Sequence, residues 1–212
     1  MPAPDFDLYL VTDRRQTGGG RDLVSVIDAA LASGVRAVQL REKDLGGREL
    51  FILAEAVKNS CARYGAKLFI NDRVDVALAV DADGVQLGAA SIPIGAAREI
   101  LGPEKLVGAS IHSLGEGESA ERAGADFVVF GPVYFTASKA AYGDPQGVKR
   151  LKEIVEKISL PVYAIGGINL EGIDAVRGAG ARGVALISAV IGVADPAAAA
   201  KELLARLTTG EE

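Results

Sequence analysis

The sequence predicts an α/β fold, a (βα)8 TIM barrel in a single domain. Three observations predict it. Short apolar runs rich in β-branched residues alternate eight times with longer stretches rich in Ala, Leu, Glu and Arg. The order is strictly strand then helix, which implies a parallel sheet, because parallel neighbours need a crossover connection. The length of 212 residues accommodates eight such units near the lower end of the usual barrel size.

The strands are expected at 7–12, 35–40, 67–70, 84–87, 106–110, 127–130, 162–165 and 184–187. The helices are expected at 22–33, 48–64, 74–80, 94–101, 114–123, 147–158, 170–178 and 196–207. Several carry start signals. Ser113 followed by Glu116 fits a capping box, and Asp195 precedes Pro196, a proline suited to a first helical position. Gly34, Gly65, Gly124 and Gly180 each end a helical run ahead of a strand. An open doubly wound sheet is the competing arrangement. A dinucleotide-binding version would carry GxGxxG after the first strand, whereas the segment there reads TDRRQTGGG. No linker or low-complexity block divides the chain, so residues 1–212 are expected to form one domain with a frayed tail at 208–212.

Composition narrows the function classes. With 49% hydrophobic and 24% charged residues the chain is not of a disordered type. A net charge of −5 argues against nonspecific nucleic-acid binding. Cys61 is the single cysteine, which excludes an intrachain disulfide and fits a reducing cytoplasm. The start, MPAPDFDLYLVTD, lacks the basic region of a signal peptide, and no apolar run approaches the ~20 residues that span a bilayer. A cytoplasmic protein without membrane or nucleic-acid partners is expected.

In a parallel barrel the chemistry sits at the carboxyl ends of the strands. Strand alternation puts Gln39, Arg41 and Lys43 on one face, where they read either as a clamp for a diphosphate or as a solvated loop. Asp72 could ligate Mg2+ or cap the next helix, and Asn71 could bond a heterocycle or close an Asx-turn. Ser110 lies at the end of the fifth strand. His112, the lone histidine, could be a general base or merely the residue ahead of the cap Ser113. The long loop 131–146 offers Thr136, Ser138 and Lys139, as a binding loop or as a tolerated insertion. Gly167 and Ser188 could form a backbone phosphate site; the plainer reading is close packing at the glycines and capping by Asn169. Two anion features on one face, with Asp72 near the cationic one, suit joining or splitting two phosphorylated molecules. A Ser-His-Asp arrangement for hydrolysis does not stand out.

The segments VTD, QLREK, IND-R-VD-AL, GAS-HS, GADFVVFGPV, T-A-S-K, AIGGI and LIS, in this order from Tyr9 to about residue 200, resemble the thiamine-phosphate synthase family and its close relatives, the thiazole tautomerases. The resemblance implies a (βα)8 barrel that couples a hydroxymethylpyrimidine diphosphate to a thiazole ethyl phosphate. Pyrophosphate leaves first, and the thiazole nitrogen captures the pyrimidine-methyl cation. It further implies that Gln39, Arg41 and Lys43 bind the pyrimidine diphosphate with Asn71 nearby, that Asp72 holds Mg2+, and that Ser110 and Lys139 contact the diphosphate substrate. Thr136, Ser138, Gly167, Ile187 and Ser188 would take the thiazole phosphate. The chain departs from the family in one place. Where the synthases carry a segment like HLGQEDLP, this sequence has Gln86 in place of the histidine and Ser91 in place of a second metal carboxylate. Tautomerase-like relatives also lack that carboxylate and are thought to use a histidine placed like His112, yet they commonly lose the aspartate that Asp72 retains. The synthase is the reading adopted, with small phosphorylated heterocycles as partners and a homodimer as an option. A tautomerase using His112, or a non-catalytic paralogue binding thiazole or thiamine phosphate, is the alternative.

Overall fold

The computed structural model describes residues 3–136 and 144–208. Its strands, β1 (Leu8–Val11), β2 (Ala37–Leu40), β3 (Lys67–Asn71), β4 (Gly84–Leu87), β5 (Leu106–Ile111), β6 (Phe127–Phe130), β7 (Val162–Ile165) and β8 (Gly183–Leu186), close into a barrel in chain order. Every neighbouring pair is parallel, including β1 with β8. The helices are α1 (Leu23–Ala32), α2 (Gly47–Arg63), α3 (Val74–Ala79), α4 (Ile94–Leu101), α5 (Leu114–Arg122), α6 (Gly147–Lys157), α7 (Ile173–Gly178), α8 (Ser188–Ile191) and α9 (Pro196–Thr208).

The barrel expected from the sequence is the barrel observed, and the boundary shifts have local causes. β2 starts late because Val35 is occupied in closing α1: its N–H bonds the Ala30 carbonyl at 3.2 Å while Gly34 turns at φ 112°. β3 continues to Asn71, which pairs with Gln86. β8 begins one residue early, at Gly183, where Val184 N donates to the Asp7 carbonyl at 2.9 Å; the approach leaves room only for glycine, since a Cβ at 183 would stand 2.1 Å from that oxygen. The helix expected at 170–178 divides into a 3-10 turn, Leu170–Gly172, and α7. The short α8 is not anticipated by the sequence; its buried Val190 and Ile191 anchor four residues expected to lie beyond the eighth strand, outside any helix. Thr208, expected in a frayed tail, ends α9, and its hydroxyl donates to the Leu204 and Ala205 carbonyls at 3.1 and 3.1 Å.

Strand alternation sorts the core into two shells. Val38, Leu40, Val85 and Ala109 face the helices, whereas Tyr9, Ala37, Phe69, Phe127 and Tyr163 fill the barrel. The interior is an aromatic plug. Phe6 stacks on Tyr163 at 4.8 Å between ring centroids, and Phe69 meets Phe127 edge-on at 5.5 Å. The Tyr163 hydroxyl donates to the Phe6 carbonyl at 2.7 Å. Small residues make the room: a Cβ on Gly108 would come within 2.4 Å of the Phe127 ring. The plug closes the barrel below and leaves a mouth at the carboxyl ends of the strands.

Candidate functional site

Above the plug, the inward positions divide the mouth in two. From β2 to β5 they are Gln39, Asn71, Gln86 and Ser110; on β1, β6, β7 and β8 they are Val11, Val129 and Ile165, with Ile187 at the end of β8. Consecutive strands therefore supply a polar half, facing an apolar one. The Tyr9 hydroxyl lies buried under the polar half without a well-formed hydrogen bond among the described residues. Its burial holds the phenol proton well above the usual range, with the Gln39 amide opposing.

Gln39 is buried and inward, as expected. Arg41 follows β2 directly and is partly buried, its backbone N–H donating to Thr12 Oγ1 at 2.9 Å. Lys43 corrects the sequence reading. The alternation that would put it on the same face stops with the strand at Leu40, and residues 42–45 form a turn closed by Leu45 N to Glu42 O at 3.2 Å. Lys43 stands exposed at the same end of the barrel, and strand geometry does not set its direction. Among the described residues neither the Arg41 guanidinium nor the Lys43 ammonium is taken up by a hydrogen bond or ion pair.

Between them lies Glu42, a residue the sequence reading missed. It is buried, accepts from Thr12 Oγ1 at 2.7 Å and from the Arg14 backbone at 3.1 Å, and pairs with Arg14 Nη1 at 3.1 Å. Arg14 and Arg15 also bind Asp44. The Arg14 guanidinium beside it holds the Asp44 carboxyl below the usual carboxylate range, and both carboxylates hold the Arg14 proton more tightly. This network ties the loop after β1 to the end of β2 and takes up the charges of Arg14 and Arg15, and it leaves Arg41 and Lys43 uncommitted among the described residues. The signal in the sequence was a lone carboxylate set between two cations in QLREK.

Asp72 does not cap α3: the N-cap residue is Arg73, with no side-chain cap bond. Asp72 instead adopts φ 62°, a left-handed conformation that Asn and Asp tolerate best among residues with a Cβ. Its carboxylate is fixed from both sides. Asn71 Nδ2 donates to Oδ2 at 2.7 Å, and the Ser91 hydroxyl donates to Oδ1 while accepting from Gly88 N at 2.7 Å. Asn71 thus orients Asp72 rather than closing an Asx-turn. Among the described residues no group of three or more His, Cys, Asp and Glu could hold a metal alone. One oriented carboxylate with a hydroxyl beside it fits Mg2+ in the mode completed by substrate phosphate oxygens and water.

Ser110 faces the mouth and accepts from Gln86 Nε2 at 3.1 Å. His112 is exposed; its Nδ1 bonds the Gly131 carbonyl at 2.5 Å and must therefore carry the proton, which leaves Nε2 as the available nitrogen. Ser113 caps α5 as expected, accepting from Glu116 N at 3.3 Å, but Glu116 reaches back to His112 N at 2.6 Å instead of to the cap residue.

Thr136 lies on the loop after β6 and is partly buried; Ser138 and Lys139 lie outside the described residues. Backbone bonds from Gln146 N to Pro132 O at 2.8 Å and from Gly147 N to Val133 O at 3.0 Å draw the two sides of this loop together. At the end of β7, Gly166 and Gly167 have φ of 100° and 64°. A Cβ on Gly167 would lie 2.4 Å from the Phe135 carbonyl oxygen, so close packing of the β6 loop accounts for this glycine. Asn169 accepts from Gly172 N at 3.1 Å, the capping role foreseen for it. Ile187 packs on the inner cluster and Ser188 opens α8, exposed at the rim. The structure brings Gln39, Arg41, Lys43, Asn71, Asp72 and Ser110 to one half of one barrel end, with Gly167, Ile187 and Ser188 across from them.

The family model for thiamine monophosphate synthase matches residues 8–190. A protein of Geobacter sulfurreducens is 54% identical over 207 residues, covering 98% of this chain and 97% of its own length. The thiamine-phosphate synthase of Desulfitobacterium hafniense (strain Y51) is 46% identical over 202 residues, 95% of this chain and 97% of that protein. Among solved structures, the thiamine phosphate pyrophosphorylase of Pyrococcus furiosus superposes with a TM-score of 0.87 at 40% identity, covering 95% of each chain.

Proposed function

The chain belongs to the thiamine monophosphate synthase family, and on that premise we propose that it joins a hydroxymethylpyrimidine diphosphate to a thiazole ethyl phosphate, releasing pyrophosphate. The observation that carries the reading is the polar half of the mouth. There, two uncommitted cations stand at the end of β2 and an oriented carboxylate stands at the end of the neighbouring β3.

The bond that breaks joins the pyrimidine methylene carbon to the diphosphate oxygen, and its electron pair leaves with the diphosphate. The thiazole nitrogen then gives its lone pair to the methylene carbon. Charge grows on the departing diphosphate, so fixed positive groups aimed at it lower the barrier, usually the largest effect in such a site. Arg41 and Lys43 supply that charge, and Lys139 joins them by the family resemblance. Mg2+, when bound, adds positive charge at the diphosphate oxygens, and Asp72 would hold it with Ser91 beside it. Gln39 and Asn71 hold the pyrimidine, and Ser110 donates to the diphosphate substrate. Thr136, Ser138, Gly167, Ile187 and Ser188 receive the thiazole phosphate, where the N–H groups of Gly167 and Ser188 are not used by the backbone of the described residues. The apolar residues Val11, Val129 and Ile165 exclude water from the cation. Positioning does most of the remaining work, since both reactants are bound and no strong base is needed. A cytoplasmic setting and a homodimer belong to the same proposal.

The test is direct. Purified protein given Mg2+ and both substrates is expected to form thiamine phosphate and pyrophosphate in equal amounts. No thiamine phosphate under these conditions would overturn the reading. An isomerised thiazole phosphate, abolished by His112→Ala, would replace it with the tautomerase.

A further inference from the structure

Gln86 is buried on β4, with a relative exposure of 2%, and its side chain points into the barrel. Its Nε2 donates to Ser110 Oγ at 3.1 Å, whereas its Oε1 has no hydrogen-bond partner among the described residues. That oxygen occupies space that only a glycine at position 108 leaves open, because a Cβ on Gly108 would lie 2.4 Å from it. A buried, unpaired acceptor costs stability, and apolar side chains fill the corresponding inward positions on the other half of the mouth. Packing alone therefore gives no reason for an amide here.

We infer that Gln86 is a positioning residue that fixes the polarity of Ser110. A serine hydroxyl has one proton to donate and two lone pairs. Accepting from Gln86 Nε2 occupies a lone pair and leaves the Ser110 O–H free to donate up into the mouth. Without the amide donor, the hydroxyl can rotate and present a lone pair to an anionic ligand instead. Gln86 thus acts on the diphosphate substrate through Ser110, without touching it. The inference rests on the synthase reading only in taking Ser110 as a contact to the pyrimidine diphosphate.

The experiment is a double-mutant cycle read in affinity for the pyrimidine diphosphate by calorimetry, so that turnover by the unaltered enzyme tests the reaction separately. Gln86→Met keeps the shape of the side chain and removes the donor. Gln86→Met and Ser110→Ala are each expected to weaken binding about tenfold, one hydrogen bond's worth. Combined, they are expected to weaken it no further than Ser110→Ala alone. Gln86→Glu, which keeps the shape but presents only acceptors when ionised, is expected to lose affinity in the same direction and serves if Gln86→Met folds poorly. The melting temperature of Gln86→Met is expected to equal or exceed that of the parent, since the unpaired acceptor is gone. Three results would overturn the assignment: parental affinity in Gln86→Met, parental affinity in Gln86→Glu, or an additive loss of about a hundredfold in the double variant.

Discussion

Replacing Ser91 with aspartate tests how the site manages with a single carboxylate. In the parent protein Ser91 donates a hydrogen bond to Asp72, and both side chains are partly buried. Ser91→Asp removes that bond, worth about 1 kcal/mol, and sets a second negative charge against the first. Two unit charges roughly 5 Å apart repel by about 3 kcal/mol at an effective dielectric constant near 20. Solvent and salt at the barrel mouth reduce this to about 1–2 kcal/mol. Without divalent metal the variant is therefore expected to be destabilised by roughly 2–3 kcal/mol, which lowers the melting temperature by about 4–12 °C in a domain of this size. With Mg2+ the loss is largely offset, because two carboxylates now share the ion. At a hundredfold excess over its dissociation constant, bound Mg2+ adds about 2.7 kcal/mol. The assay is a pair of thermal melts, with chelator and with 10 mM Mg2+ (about a hundredfold excess for a site of about 0.1 mM). A variant as stable as the parent under chelator, or a Mg2+ shift equal in both proteins, would refute the placement of Ser91 and Asp72 around a common metal position.

Three further outcomes are expected. Glu42→Ala leaves Thr12, the Arg14 backbone and the Arg14 guanidinium without their buried acceptor and should cost about 3 kcal/mol in urea unfolding; a loss under about 0.5 kcal/mol would contradict the network's role. Burial pushes the Cys61 thiol up to about 12, so at pH 8 the native protein should react with a thiol reagent at least about a hundredfold more slowly than the urea-unfolded chain; comparable rates would mean that the thiol is exposed. His112→Ala should leave the synthesis rate within about threefold, because the reaction as derived asks no proton transfer of this ring; a hundredfold loss, about 2.7 kcal/mol of barrier, would assign it one.

The alternation of β-branched runs with helical stretches made the barrel legible in the sequence, since period and order are backbone properties. The same alternation placed Gln39 inside the barrel, where it is found, but it sets the direction of neither Arg41 nor Lys43, because a periodicity argument expires where the strand does, at Leu40. Asp72 illustrates a different limit. Local sequence left metal binding and helix capping equally open, and only its φ of 62° with bonds from Asn71 and Ser91 removed the cap. Ser91 is 19 positions away, so no local pattern announces the contact. Glu42 and Gln86 went unread as partners for the same reason: what makes them matter is a residue on another strand or loop, Thr12 in one case and Ser110 in the other. The glycines at 166 and 167 were legible as a close approach, but the sequence left open whether a ligand or another loop comes near, and the β6 loop does.

The central claim is that the end of β2 stabilises a leaving pyrophosphate. Its most direct measurement is the single-turnover rate of Arg41→Gln with both substrates saturating. The account predicts a fall of about 10²–10³ in that rate, with affinity for the thiazole phosphate unchanged. A variant that keeps the parental rate, or that loses thiazole phosphate affinity instead, would contradict it.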